Sequence, residues 1–584
     1  MSFRQLHTTL CRLGSGARLL GLVVLVGALL GIPLAVRAQQ VEEPGADTTR
    51  RFYQDDPLWL DPDTNDVPPV SEFELFEDYD FVENSFGHPG GPAGPSLNIN
   101  TLDEVPDSSW FTNRIGSGKM TVAEVVRGPD TGAGPAPGVW WLTGRPAAGV
   151  TPKFTIRDAR GDTYLIKLDP PAFPELASSA ELISTKIFHA IGYHVPENYL
   201  IDLDPSRLEI APDATFRTAR GDERPIRRAD VTHWLKDLVR NQDGTIRALA
   251  SRFVQGVPVG QFRYYSTRED DPNDIYPHEY HRQLRALRVF DAWLGHDDTK
   301  ALNSLDAYVE EDGRRYIRHY LLDFGATLGS GSTHSKPPQA GYEYYVEGDK
   351  ILKGIFTFGL WARDWTKAEY PDYPAVGRYE ADFFEPWLWK PKYPNPAFDR
   401  MDAADAFWAA NIVSRFTDEM IRAIVAAGKI SDPEAAAYLT QVLTERRDKV
   451  VRYWISRTNP LDSFDVQRRA DSQLQLTFDN AAVRLGAAPQ GARYVVRWSA
   501  LDNLLGQERP WGRVDLEGAR AGVPHASWGP VDDVGDRYTV AAIRTVHADY
   551  PHWNEPVVVT LRDRAGDVRV VGIERPRRDP GTVD

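Results

Sequence analysis

The chain has 584 residues, 42% of them hydrophobic and 16 of them tryptophan, a composition that supplies a large packed core and excludes a disordered or fibrous protein. At ~150 residues per domain there is room for about three or four domains. A formal charge of −16 at pH 7 argues against non-specific binding to nucleic acid or anionic lipid, and the sequence carries no nucleic-acid motif and no internal repeat.

Residues 1–38 form the first segment. Arg4, Arg12 and Arg18 precede the apolar run Leu19–Val36, and Val36-Arg37-Ala38 puts small residues at −3 and −1 of a cleavage site before Gln39, the pattern of a signal peptide. The run is also long enough to stay as an uncleaved anchor, which would be the chain's one contact with a membrane. Either way the remainder is expected to be exported: periplasmic, secreted or envelope-associated. Cys11, the single cysteine, leaves with a cleaved leader, so the mature chain is expected to lack disulfides. The segment holds four arginines and no acid, so its loss moves the charge from −16 to −20.

Residues 39–137 read as an acidic arm. Fourteen Asp and Glu lie between Glu42 and Glu83, against Arg50 and Arg51. Interleaved aromatics such as Phe52, Trp59, Phe73 and Phe81 are foreign to a disordered segment. The arm is therefore expected to lie along the folded body, with a solvated linker as the alternative. His88–Pro95 reads as a loop or hinge.

A small lobe is expected over 138–205. Val139–Leu142 and Lys153–Ile156 are strand-like, with Gly144 and Gly149 between them and a turn at Asp158–Asp162. Thr163–Lys167 is a strand ending in a lysine. Pro174–Ile191 reads as a helix with Leu176, Ala180, Ile183, Ile187 and Ile191 on one stripe and Gly192 as its stop. Glu181 lies at the edge of that stripe, where its carboxylate can reach Lys167; Glu175 is its rival. Asn198–Asp202 is the next strand.

Residues 206–460 are expected to form a large lobe. Asp213–Arg228 reads as a charged loop, His233–Leu249 as a helix, Gly256–Gly260 as a turn and Thr267–Tyr276 as an acidic loop. His278 and His281 can share a helical face, but the H-E-x-x-H spacing of zinc hydrolases is absent. Glu279–Trp293 is an amphipathic helix with Leu284, Leu287, Phe290 and Trp293 on one face and its arginines elsewhere. Next come Asp298, Lys300 and Asn303 in a D-x-K-x-x-N arrangement, and a hairpin turning at Asp312-Gly313 that runs into Asp323-Phe324-Gly325. A carboxylate at Asp298 can orient or deprotonate an attacking hydroxyl, and Lys300 can neutralise charge building on a transferred group. Asn303 and Asp323 offer the oxygen ligands that Mg²⁺ prefers. Ala326–Thr333 is a small-residue loop. Gly341–Phe398 is aromatic-rich: a groove for carbohydrate or peptide, or aromatics packed across loops. Ala403–Ala427 and Pro433–Trp454 read as two helices. From 464 to 584 the apolar period becomes two, which predicts a small β-sandwich-like accessory domain.

The order strand, lysine strand, glutamate helix, strand, D-x-K-x-x-N, hairpin, Asp-Phe-Gly resembles the protein-kinase superfamily. SSAELISTKIFHAIGYHVPE and GVTPKFTIRDARGDTYLIK are similar to segments of the HipA-like kinases, and the Asp298/Asn303/Asp323 pattern resembles that family, the phosphoinositide kinases and the atypical kinases of the secretory pathway. The resemblance covers roughly 138–330 and is one of motif order. It implies an α+β fold: a two-lobed protein-kinase-like core followed by the small all-β domain. It also implies ATP as cofactor with Mg²⁺, or Mn²⁺ in its place, and an acceptor that is a protein, sugar or lipid. By that resemblance Lys167 and Lys153 hold phosphate, Glu181 orients Lys167, Asn303 and Asp323 hold metal, and Asp298 acts as base with Lys300 beside it. Two departures stand out. There is no G-x-G-x-x-G loop, only the looser Gly144, Gly149 and Lys153. Asp297 replaces the arginine of His-Arg-Asp, so control by activation-loop phosphorylation is not implied. The competing expectation is an inactive kinase-like envelope protein that serves as a binding platform.

Overall fold

The computed structural model describes residues 50–579, apart from 62, 147–152, 219–221, 349, 351–352, 354–355, 357–362 and 471. The leader or anchor at 1–38 and the loop residue Gly149 lie outside the described residues. The fold is mixed α and β, with several sheets and an all-β C-terminal region.

The arm lies along the body wherever it is described. Phe52 stacks on Tyr538 with ring centroids 5.7 Å apart, Val67 N–H donates to the Arg315 carbonyl, and Phe73 bridges to Gly260. Such contacts offset the ordering entropy of the segment. Two short helices form in it, α1 (Glu77–Val82) and α2 (Val122–Arg127), the second started by a Thr121/Glu124 capping box. The stretch 88–95 is a loop but no free hinge: Gly91 N–H donates to Glu279, and Arg285 donates to the Gly94 carbonyl.

The small lobe is built on β1 (Trp140–Arg145), β2 (Lys153–Arg157) and β3 (Thr163–Leu168). The β2–β3 turn is closed by Asp158, whose side chain accepts from Arg160 and Asp162 N–H. Helix α3 (Leu176–Ile191) follows. Its expected stripe is buried, but so is nearly every other residue of the helix, because it is covered on more than one side. It stops at Gly192, where φ is +147° and an added Cβ would lie 2.2 Å from the Phe111 ring. Then come β4 (Asn198–Leu203), β5 (Leu208–Arg217), β6 (Glu223–Pro225), α4 (Arg228–Leu235) and β7 (Ile246–Arg252).

The seven strands form one sheet in the order β4-β7-β3-β2-β1-β5-β6, antiparallel except for the parallel pair β1/β5. The fold departs from the sequence pattern at two places. The stretch Asp213–Arg228, expected as a loop, carries the end of β5 and the edge strand β6, and β7 takes the sheet on to residue 252 rather than ending near 205. The helix expected over His233–Leu249 ends at Leu235. Ile246–Arg252 is instead a strand between β3 and β4, with Ala248, Leu249 and Ala250 fully buried. Ala and Leu favour helix locally, and pairing on both edges overrides that preference.

Past β8 (Val257–Pro258), helix α5 (Arg282–Leu294) is buried along most of its length. Of its arginines, Arg282 and Arg285 are fully buried and bridge to Asp405, and Arg282 also to Asp103. Strands β9 (Ser304–Glu311) and β10 (Arg314–Leu321) form the hairpin, turning at Asp312-Gly313. The helix expected over Ala403–Ala427 is two, α6 (Ala403–Ser414) and α7 (Asp418–Ala427), because Thr417 caps a new start by accepting from Met420 N–H. Helix α8 (Pro433–Ile455) leads into the β region. There β11 (Leu461–Arg468), β12 (Leu474–Asn480) and β15 (Arg520–Gly522) form one sheet. The other has the order β14-β13-β16-β17-β18, from β13 (Arg493–Asp502), β14 (Gln507–Leu516), β16 (Asp536–Val546), β17 (Val557–Arg564) and β18 (Asp567–Glu574). Leu461, Leu476 and Ala521 of the first sheet share an apolar cluster with Val496, Ile543 and Val559 of the second. Among the described residues no helix is long and apolar enough to cross a membrane.

Candidate active site

Three elements converge on Lys167. It stands near the end of β3, its Nζ 2.5 Å from Glu181 Oε1 on α3 and 2.9 Å from Asp323 Oδ1 just past β10. The local cause is Asp169, two residues beyond the lysine. Its carboxylate accepts from the Ala177 and Ser178 N–H groups and the Ser178 hydroxyl, capping α3 and tying the end of the strand to the start of the helix. Glu181 follows one helical turn later. Glu175 points elsewhere, accepting from Ser431 N–H.

Lys167 and Glu181 are buried, at 9% and 2% exposure, while the Asp323 side chain is 45% exposed. Burial works against the Lys167 charge, but the carboxylates of Asp323 and Glu181 more than offset it, so its pKa is raised. Lys167 in turn holds the Asp323 carboxyl down at about 2. Burial raises the Glu181 pKa against the pull of the lysine. Lys153 faces Lys167 across the β2/β3 ladder, and burial followed by the charge of Lys167 lowers its pKa. Gly325 comes so near that an added Cβ would lie 3.3 Å from Glu181 Oε2. Phe324 is buried against Phe188 of α3, centroids 4.6 Å apart, with the His296 ring 5.9 Å away. Asp323 itself sits in the left-handed region, φ 61° and ψ 57°, a conformation that carries local strain.

The D-x-K-x-x-N stretch lies at the open end of the β9/β10 hairpin. Ser304 pairs with Leu321, and Leu322 N–H donates to the Asn303 carbonyl, so Asn303 and Asp323 leave the hairpin side by side. Asn303 Nδ2 donates to the Asp298 carbonyl at 2.8 Å, which commits that face of the amide and leaves Oδ1 for a ligand. Asp298 Oδ1 lies 2.7 Å from Lys392 Nζ and 3.6 Å from Lys300 Nζ. Lys300 also pairs with Glu77 of α1.

An oxygen-seeking divalent cation fits this donor set. The ionised Asp323 and the Asn303 oxygen are hard ligands, and among the described residues no group of three or more His, Cys, Asp or Glu could hold a metal by itself. A cation here would complete its shell from water and phosphate oxygens, as Mg²⁺ does. His278 and His281 are spent internally: His278 bonds Asp274 and the Arg263 carbonyl, and His281 bonds the Tyr276 carbonyl.

Three contributors went unread in the sequence. Lys392 beside Asp298 comes from the aromatic segment, Glu77 from the arm, and Lys336 forms a buried ion pair with Asp297. Each joins positions far apart in the chain, and no local pattern announces such a pair. The Ala326–Thr333 loop is also tighter than a small-residue loop suggests, with Thr327 and Ser330 fully buried and Thr327 bonded to Ser184 of α3.

No family model matches the chain, and no curated protein matches it. One of the solved structures it is similar to is a kinase. It is the proinflammatory kinase CtkA of Helicobacter pylori, 14% identical, covering 52% of this chain and 90% of that one with a TM-score of 0.28. Overlap at that level is slight, and the reading of the site rests on its own geometry.

Proposed function

We propose that the protein is an atypical kinase with a two-lobed protein-kinase-like core, which transfers the γ-phosphoryl group of ATP to a hydroxyl acceptor. One observation carries the reading: a single buried lysine on a strand bridges a helix carboxylate at 2.5 Å and the Asp-Phe-Gly carboxylate at 2.9 Å. In this reading Lys167, oriented by Glu181 and seconded by Lys153, holds the phosphates. Asp323 and Asn303 hold the metal, which supplies charge neutralisation between the phosphates. Asp298 accepts the hydroxyl proton, and Lys300 stabilises the charge of the transferred group. The Asp297–Lys336 contact ties the loop after Asp-Phe-Gly to the D-x-K-x-x-N stretch, in keeping with a site that needs no phosphorylated loop.

The second reading is a nucleotide-free binding platform, favoured by the direct contact between Lys167 and Asp323, which spends both groups on one another. The two readings part at Asp298→Ala. In a kinase this variant keeps nucleotide affinity and loses turnover, since Asp298 acts on the acceptor and not on the nucleotide. A wild-type chain that neither binds nor consumes ATP overturns the kinase reading. We further propose that the protein works outside the cytoplasm, on the strength of the leader pattern in residues 1–38.

A further inference from the structure

A segment of the chain's own arm lies against the Asp298 loop. Helix α1 of the acidic arm lies beside the D-x-K-x-x-N loop, and the Glu77 carboxylate pairs with Lys300, whose Nζ is 3.6 Å from Asp298 Oδ1. Lys392, 2.7 Å from the same Asp298 oxygen, completes a two-lysine frame around the proposed base. The arm is anchored by other groups. Asp80, only 3% exposed, accepts from the Tyr393 hydroxyl at 2.6 Å, and Phe81 meets the Tyr393 ring edge-on at 5.6 Å. Tyr393, which holds the arm, is thus next in sequence to Lys392, which touches Asp298. Glu77 by contrast is 61% exposed, so its pairing with Lys300 is weak and easily exchanged.

We propose that α1 occupies the acceptor site as a stand-in substrate, and that the acceptor it stands for is an acidic polypeptide segment presenting a hydroxyl where Glu77 presents its carboxylate. This rests on the kinase reading and adds its substrate class. A lysine pair beside the base suits an acceptor with carboxylates near its hydroxyl, and the Tyr393 hydroxyl donates to one such carboxylate in the arm. In the transfer, the acceptor oxygen bonds to the γ-phosphorus of ATP as the bond from that phosphorus to the β–γ bridging oxygen breaks. The hydroxyl proton passes to Asp298, and ADP leaves.

The test uses the full chain with Glu77→Ser, incubated with Mg²⁺ and ATP and read by mass spectrometry. Phosphate should appear at position 77, and Asp298→Ala added to it should abolish the label. A peptide spanning residues 71–83 with Glu77→Ser is the second probe, assayed on the Glu77→Ala chain. It should be phosphorylated, at least tenfold better than the same peptide with Asp78 and Asp80 changed to Asn. Removing the exposed Glu77 carboxylate should raise kcat/KM for this peptide about two- to fivefold over wild type, the scale of one exposed ion pair. ADP formation without label on either probe, or label on glucose 6-phosphate alone, overturns the proposal while leaving the kinase reading standing. Absence of ATP binding in every variant overturns both.

Discussion

Lys167 is a buried charge held between two carboxylates. Replacing one member of a buried pair leaves the other charged and desolvated, whereas replacing both with apolar groups is close to neutral. Lys167→Met should therefore cost about 3 kcal/mol, read by urea denaturation, because Glu181 at 2% exposure loses its cation. Adding Glu181→Leu should recover most of that loss. A double variant as unstable as the sum of its parts would contradict the pairing. The lysine and the glutamate were legible in the sequence because each is placed by its element: one ends a short strand-like run, the other borders a helical stripe. Glu77 and Lys392 were not, since their partners Lys300 and Asp298 are reached only by chain folding.

At the scale of the element, the β3–α3 connection sets the site. Asp169 satisfies two N–H groups at the start of α3, and Asp169→Ala should cost about 1 kcal/mol, the usual loss for an N-cap. If the cap also positions Glu181, the same variant should weaken nucleotide affinity several-fold by calorimetry. Lost stability with unchanged affinity would make the cap a matter of folding alone. Secondary structure was readable where the apolar period is unambiguous, as in α3, α5 and the β9/β10 hairpin. It failed at Ile246–Arg252, where IRALASR favours a helix until two neighbouring strands claim both its edges. It failed also at Arg415–Thr417, where a cap splits one apolar run into α6 and α7.

At the scale of the whole molecule, buried histidines set an acid limit. Burial lowers His281 to about 3 and His296 to about 4. Both stay neutral when folded, so their contribution is intact above the unfolded value of about 6.5 and is lost as pH falls from there towards 4. Between pH 7 and 5 each should remove about 2 kcal/mol of stability. His278, raised by Asp274 against its burial, works in the opposite direction and is strongest in acid. Urea denaturation should show a net fall across this window, and His296→Leu should shed its share of the slope; an unchanged slope would contradict a neutral buried His296. The arm's course was legible only in outline: its aromatics announce a surface to bind, but the ladder of contacts from Phe52 to Asp80 depends on surfaces that exist only after folding. N-terminal sequencing of exported protein should begin at or near Gln39, and an intact Met1 in a membrane fraction would replace cleavage with an anchor.

If Lys167, Asp323 and Asn303 form a metal-dependent nucleotide site, thermal denaturation with ATP will show it. With Mg²⁺ present and ATP at about one hundred times its dissociation constant, linkage requires ~2.7 kcal/mol of added stability. Asp323→Ala should erase the gain and Lys167→Ala should reduce it. A folded wild-type protein whose melting temperature ignores ATP with and without Mg²⁺ would contradict the account.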